Sequence, residues 1–164
     1  MSAPIDATLF RAAMARFPGA VTIVTALAGV ERRGITATAV CSVSADPPSL
    51  LVCLNRKTGT CAAVRESGKF NVNLLPDAAS PIAIRFAGVG GVTGEDKFAV
   101  GEWTSDERGL PLLAEASLTF CCDVTEITEA GSHSIFVGQI ASLTLGAAPA
   151  LIYEQSRFHR LQAI

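Results

Sequence analysis

Seven runs along this chain carry β-branched and apolar residues at alternating or continuous positions, each bounded by turn residues. They span residues 20–26, 34–44, 49–55, 69–75, 117–127, 134–145 and 151–154. At 117–127 the alternation is plain: Leu118, Phe120, Cys122 and Val124 interleave with Thr119, Cys121, Asp123 and Thr125, predicting a strand with one face in a core. A different period opens the chain. Leu9, Phe10, Ala13, Met14 and Phe17 recur at spacings of three and four, Asp6 can cap the helix they predict, and Pro18-Gly19 ends it. Two shorter helical intervals interrupt the strands. One runs over 60–67 and is stopped by Gly68; the other runs over 81–87, with Ser80 able to cap, Pro81 first in the helix and Gly88 as the stop. Neither recurs with the regular βαβ spacing of a parallel sheet. The pattern predicts a mostly β fold, a closed or nearly closed antiparallel barrel with a few appended helices.

Composition narrows the function classes. A chain of 164 residues, 49% hydrophobic and 17% charged, can bury a full core and reads as one domain over 1–164. A net charge of −2, with thirteen basic residues scattered along the chain, leaves no footprint for nucleic acid. The first ten residues do not read as a secretory signal, and no apolar run reaches the roughly 18 residues of a membrane helix. The expectation is a cytoplasmic protein without a membrane partner. Five cysteines, Cys41, Cys53, Cys61, Cys121 and Cys122, include no C-x-x-C pair and fit reduced thiols packed as small buried hydrophobes. With two histidines in the chain and no ligand spacing, no metal site is expected.

The common nucleotide and hydrolase signatures are missing. Residues 88–94, GVGGVTG, form the one glycine-rich stretch, expected at the surface; its spacing misses G-x-G-x-x-G, and a helical pattern rather than a strand precedes it. There is no P-loop and no G-x-S-x-G elbow, and spacing singles out no pair of carboxylates.

Residues 34–60, GITATAVCSVSADPPSLLVCLNRKTGT, carry the candidate chemistry. Taken as one strand, 34–44 puts Thr36, Thr38, Val40, Ser42 and Ser44 on one face and Ile35, Ala37, Ala39, Cys41 and Val43 on the other. The first face offers hydroxyls without bulk. It suits a planar polar ligand, and equally the solvent face of an ordinary sheet. After the next strand, Asn55-Arg56-Lys57-Thr58-Gly59-Thr60 leads into a short helix whose N-terminus, with basic neighbours and hydroxyls, is a competent phosphate site or a solvated basic loop. Together the two parts suggest a flat ring with a phosphate tail.

Six elements in order, FPGAVTIVT at 17–25, GITATAVCSVSADPPSLLVCLN at 34–55, KFNVNLL at 69–75, RFAG followed by DKF at 85–88 and 96–98, GSHSIFVGQI at 131–140 and LIYEQSRFHRL at 151–161, resemble the short-chain flavin reductases, the small partners of two-component flavin monooxygenases. The reductase component of 4-hydroxyphenylacetate 3-monooxygenase is of this kind. The resemblance implies an FMN-binding split β-barrel of Greek-key topology, usually a homodimer, in which NADH or NADPH reduces FMN or FAD for a partner oxygenase. By motif it assigns Thr36, Ala37, Thr38, Ala39, Ser42 and Val43 to the ring and ribityl chain, with Cys53, Leu54 and Asn55 continuing that wall. It assigns Lys57, Thr58 and Thr60 to the phosphate, Arg85 and Phe86 to the flavin's surroundings, and His133 and Tyr153 to the nicotinamide. Thr38-Ala39 stands where relatives often carry Asn or Ser, and Phe158 where Tyr is common. No protein acid or base is expected for hydride transfer itself, because the cofactors carry that chemistry. Two other roles stay open at this point: a flavoprotein that retains FMN and passes electrons to another acceptor such as a corrinoid, and a non-catalytic flavin-binding barrel.

Overall fold

The structure, a computed structural model, describes residues 4–164. Its helices are α1 Ala7–Met14, α2 Gly59–Ser67 and α3 Ser80–Phe86. The strands are β1 Gly19–Ala20, β2 Thr22–Ala28, β3 Glu31–Ala37, β4 Val40–Ala45, β5 Pro48–Asn55, β6 Lys69–Leu74, β7 Trp103–Ser105, β8 Pro111–Leu113, β9 Leu118–Ala130, β10 His133–Leu145, β11 Leu151–Glu154 and β12 Arg157–Arg160. Seven of them form one antiparallel sheet in the order β3-β2-β6-β9-β10-β5-β4. Its two edge strands, β3 and β4, are consecutive parts of one segment, joined through Thr38 and Ala39. The sheet therefore curls round until its edges meet at that joint, where the Ala39 carbonyl accepts the Cys53 amide at 3.0 Å. The expected antiparallel barrel is present.

The single strand expected over 34–44 is instead two. Its first half pairs with β2 and its second with β5, and a strand serving partners on both sides of a closing barrel must break where it changes allegiance. Val21 likewise interrupts 20–26, its amide donating to Leu151 and its carbonyl accepting from Leu75. Strands β7, β8 and β12 escaped the pattern because they are three or four residues long or, in Arg157–Arg160, mostly polar.

Two cores result. Val24, Val52, Leu54, Phe70 and Phe136 fill the barrel, and Cys61, Ala63 and Val64 of α2 plug its end. Outside β2, Ile23, Leu75, Ile82, Phe86, Phe98 and Leu151 form a second layer under α3. Each fully buried side chain of this size contributes about 1.5–3 kcal/mol. Arg108 fastens the β7–β8 hairpin to the sheet, donating to Asn71 Oδ1 (2.7 Å), Asp106 Oδ2 (2.9 Å) and Asp123 Oδ1 (2.9 Å).

Helix α1 forms as expected, with Asp6 accepting the Leu9 amide at 2.7 Å. Its apolar stripe nevertheless stays largely uncovered among the described residues, Leu9, Phe10 and Phe17 being 61%, 57% and 73% exposed. In α3 the cap position belongs to Ala79, no side chain caps, and Ser80 is already helical. The thiols divide: Cys61, Cys121 and Cys122 are buried, Cys53 is half-buried and Cys41 is exposed, so not all five are core residues. Cys121 and Cys122, adjacent yet both buried, sit beside a register irregularity between Ile140 and Ser142. No helix among the described residues is long and apolar enough to cross a membrane.

Gly34 lets β3 lie against the outer core. A Cβ there would stand 2.5 Å from Cε1 of Phe86, a ring wedged between Phe98 and Trp103 at centroid distances of 4.9 and 5.1 Å. Gly34→Ala is expected to lower stability by about 1–3 kcal/mol through overpacking, read as a drop in the urea midpoint; an unchanged midpoint would mean the aromatic stack yields freely.

Candidate functional site

The joint that closes the barrel leaves two backbone amides unpaired. Thr38 and Ala39 belong to neither strand, and among the described residues their amides donate no hydrogen bond. They border a depression of about 220 Å³ whose floor and sides come from Ile35, Thr36 and Ala37 of β3 and from Cys53, Leu54 and Asn55 of β5. The register of β10 on β5 sets His133 opposite Asn55, completing the rim. His133 Nδ1 lies 2.9 Å from the Ser132 hydroxyl, and the Ser132 carbonyl accepts the Arg56 amide at 3.0 Å, which fixes the hairpin end over the depression. Burial, and secondarily the neighbouring Cys41 thiol, raises the Cys53 pKa, so this part of the wall is a protonated thiol at neutral pH.

Ile35 also lines a second hollow, of about 450 Å³, which adjoins the first. Its centre is the start of α2. Asn55 shapes the turn, its side chain accepting the Lys57 amide (3.0 Å) and its carbonyl accepting the Thr58 amide (3.1 Å) and hydroxyl (2.8 Å). Thr58 Oγ1 in turn accepts the Cys61 amide at 3.2 Å. The amides of Gly59 and Thr60 are left facing the hollow at the positive end of the helix dipole. Around them stand Lys57, Arg33 and Lys97. The Lys97 ammonium donates to the carbonyls of Phe86 (2.9 Å) and Gly34 (3.2 Å) and meets no carboxylate among the described residues. Burial holds its pKa below the usual lysine value. Paired with nothing negative and partly stripped of water, it lacks an anion. A flat, mostly uncharged depression beside a cationic helix N-terminus suits a planar ring carrying a phosphate.

The structure thus brings together Thr36, Ala37, Thr38, Ala39, Cys53, Leu54, Asn55 and His133 in one place and Lys57, Thr58 and Thr60 in the adjoining one. Ser42 and Val43 lie farther along β4, exposed and outside both. Phe86 is fully buried and touches no open space. Arg85 clamps the turn that carries Lys97, its guanidinium donating to the Asp96 carbonyl at 2.7 and 3.2 Å. Tyr153 lines a different cavity. Nor is there a continuous face of hydroxyls: Thr36 Oγ1 donates to the Ala83 carbonyl at 2.6 Å, away from the depression. The groups free to bind are backbone amides. Arg33, Thr93, Gly94 and Lys97 were missed. Lys97 sits in the DKF element, and Thr93-Gly94 ends the glycine-rich stretch, but nothing local marks Arg33.

The model of the flavin reductase like domain matches residues 14–162. The chain belongs to the flavin reductase-like family. It is 38% identical over 159 residues to the FMN reductase (NADH) RutF 1 of Methylorubrum extorquens, covering 96% of this chain and 78% of that one. To the 4-hydroxyphenylacetate 3-monooxygenase reductase component of Pseudomonas aeruginosa it is 36% identical over 154 residues, 93% of this chain and 91% of the other. The NADH:FAD oxidoreductase SgcE6 of Streptomyces globisporus, solved with NAD and FAD fragments, matches this flavin reductase-like barrel with a TM-score of 0.89 at 29% identity, over 99% of this chain and 96% of that one.

The state of Lys97 gives this flavin reductase-like protein a measurable pH signature. With its folded pKa lowered below the ordinary 10.5, part of the lysine is neutral at alkaline pH, and a bound phosphate ester restores the charge. Calorimetry at pH 9 to 10 in two buffers of different ionisation enthalpy should show proton uptake on binding phenyl phosphate, and Lys97→Met should abolish it. The same uptake in Lys97→Met would place the titrating group elsewhere.

Proposed function

We propose that this protein is an NADH-dependent flavin reductase that takes FMN as a diffusible substrate and hands it on, reduced, to a separate oxygenase. The observation that carries the reading is the pair of hollows at the barrel joint: two unpaired amides and a thiol wall for a ring, beside a helix N-terminus with Lys57, Lys97 and the Glu31-paired Arg33 for one terminal phosphate. The bound pair supplies the chemistry, a hydride passing from nicotinamide C4 to flavin N5. The chain's own residues bind and align. Thr38 and Ala39 amides address the polar edge of the ring, Lys57, Lys97 and the α2 amides hold the phosphate, and His133 at the rim orients the nicotinamide.

FMN is favoured because the hollow is built round a single helix terminus, and because several similar proteins bear the name FMN reductase (NADH). Release is favoured by shape. The ring depression is walled in part by the exposed Thr38 and Ala39, which leaves a bound ring open to solvent on that side. An oxygenase partner is supported by similar proteins named as components of a monooxygenase and of a tryptophan halogenase. We take the working unit to be a cytoplasmic homodimer of this single 1–164 domain, supported by the uncovered apolar stripe of α1 and a mean hydropathy of +0.40.

Anaerobic stopped-flow absorbance at 450 nm with NADH and excess FMN should show bleaching of many flavins per chain. Bleaching of one flavin per chain would instead identify a retained-flavin electron carrier, and binding without bleaching a flavin store. His133→Ala should raise the KM for NADH about tenfold, a loss of about 1.4 kcal/mol, with FMN affinity nearly unchanged; an unaltered KM would remove His133 from the site.

A further inference from the structure

One of the three cations around the start of α2 is not free. Strand β3 alternates its side chains, so Glu31 and Arg33 share one face and Arg32 takes the other. On that shared face the Arg33 guanidinium meets the Glu31 carboxylate, and its other terminal nitrogen donates to the Arg32 carbonyl at 3.1 Å. The residues opposite them on β2, Ala26 and Ala28, have no polar side-chain group to offer either one. Arg33 nevertheless reaches across the hollow. A Cβ on Gly59 at the start of α2 would stand 3.4 Å from its Nε, and one on Gly94 4.0 Å from that second terminal nitrogen. The guanidinium thus lies between the two walls with its charge already answered.

The neighbouring charges are disposed differently. Among the described residues neither Lys57 nor Lys97 meets a carboxylate. Glu95, next to Gly94, is turned to Arg32, accepting its amide at 2.6 Å and its Nε at 2.9 Å, and the Arg32 guanidinium lies over the Phe98 ring at 4.5 Å. Glu31 is therefore the one carboxylate among the described residues that is bonded to a cation lining the hollow. With side chains 59% and 26% exposed, the pair of Glu31 and Arg33 adds little to stability. Its consequence lies in the charge that the hollow presents to an anion: two uncompensated lysines and a helix N-terminus, rather than three cations.

We propose that Glu31 sets how tightly this hollow holds a phosphate, limiting the affinity so that the ligand can leave. The inference rests on the reading of the hollow as the seat of the flavin's phosphate. A phosphate monoester carries a charge of about −1.5 to −2 at neutral pH. The two free lysines match that charge, while Arg33 keeps donors to spare and adds hydrogen bonds with little net field. Three uncompensated cations would hold the same group more strongly, and a flavin that must be released after reduction gains nothing from that. If Glu31 served only to steady β3, its loss would loosen the hollow and weaken binding; the proposal requires the opposite sign.

Flavin fluorescence titration with FMN and calorimetry with phenyl phosphate test the sign. Glu31→Gln should bind both about fivefold more tightly than the wild type, through the lost repulsion between a carboxylate and a nearby dianion. The gain should shrink at high salt. It should be absent for riboflavin, which lacks the phosphate, and absent in the double variant Glu31→Gln/Arg33→Gln, which carries no charge at either position. Unchanged or weaker phosphate binding by Glu31→Gln, with Lys97→Met still weakening it, overturns the proposal and leaves the phosphate seat standing. Phenyl phosphate that binds Lys97→Met as well as the wild type overturns the seat and the proposal together. Tighter FMN binding by Glu31→Gln, in a protein that does not reduce flavin with NADH, would sink the reductase reading and leave the role of Glu31 intact.

Discussion

One segment of chain closes this barrel, and it does so by serving both of its edges. Residues from Glu31 to Ala37 pair with β2, those from Val40 to Ala45 pair with β5, and the two residues between them leave their amides free, only the Ala39 carbonyl reaching β5. A sheet that closes in this way removes its exposed edges yet leaves one place where backbone groups are unpaired. Unpaired amides in water are cheap; between two strands they are a ready donor pair. The candidate site exists because the fold has to have a joint, and the side chains around it are small enough to leave the backbone accessible.

The phosphate end depends on the same strand through a different interaction. Gly34 has no Cβ, so Phe86 can lie against β3, and the carbonyls of Gly34 and Phe86 converge on the Lys97 ammonium. The buried ring and the half-buried cation are thus held by the same two backbones. Arg85 reinforces the arrangement by gripping the Asp96 carbonyl beside Lys97. A perturbation of the aromatic stack would be felt as a displaced charge in the hollow, even though none of the three rings touches it.

The barrel was legible because its evidence is local and repeated: alternation in Leu118–Val124, turn residues at each boundary, and a helix whose start and stop Thr58 and Gly68 mark in the chain itself. The helix start that we propose for the phosphate was legible for the same reason, since a helix N-terminus next to Arg56-Lys57 is a contiguous signal. What escaped depends on distance in sequence. Whether Thr36 points at a ligand or at Ala83, whether Phe86 lines a site or supports one, and where Tyr153 lies relative to His133 are settled by long-range packing. The break at Thr38–Ala39 follows from closure of the whole sheet, so no window of ten residues could carry it. Arg33 enters the hollow only because β3 passes the start of α2.

The thiol of Cys53 stands in the wall of the ring depression, and burial raises its pKa further above neutrality. Reduced flavin that meets oxygen before reaching its acceptor yields hydrogen peroxide, and peroxide attacks thiolates far faster than thiols. A wall residue that offers almost no thiolate is therefore slow to be oxidised by the by-product formed nearest to it. The desolvation that shapes this wall thus also lowers the share of thiolate it exposes to that by-product.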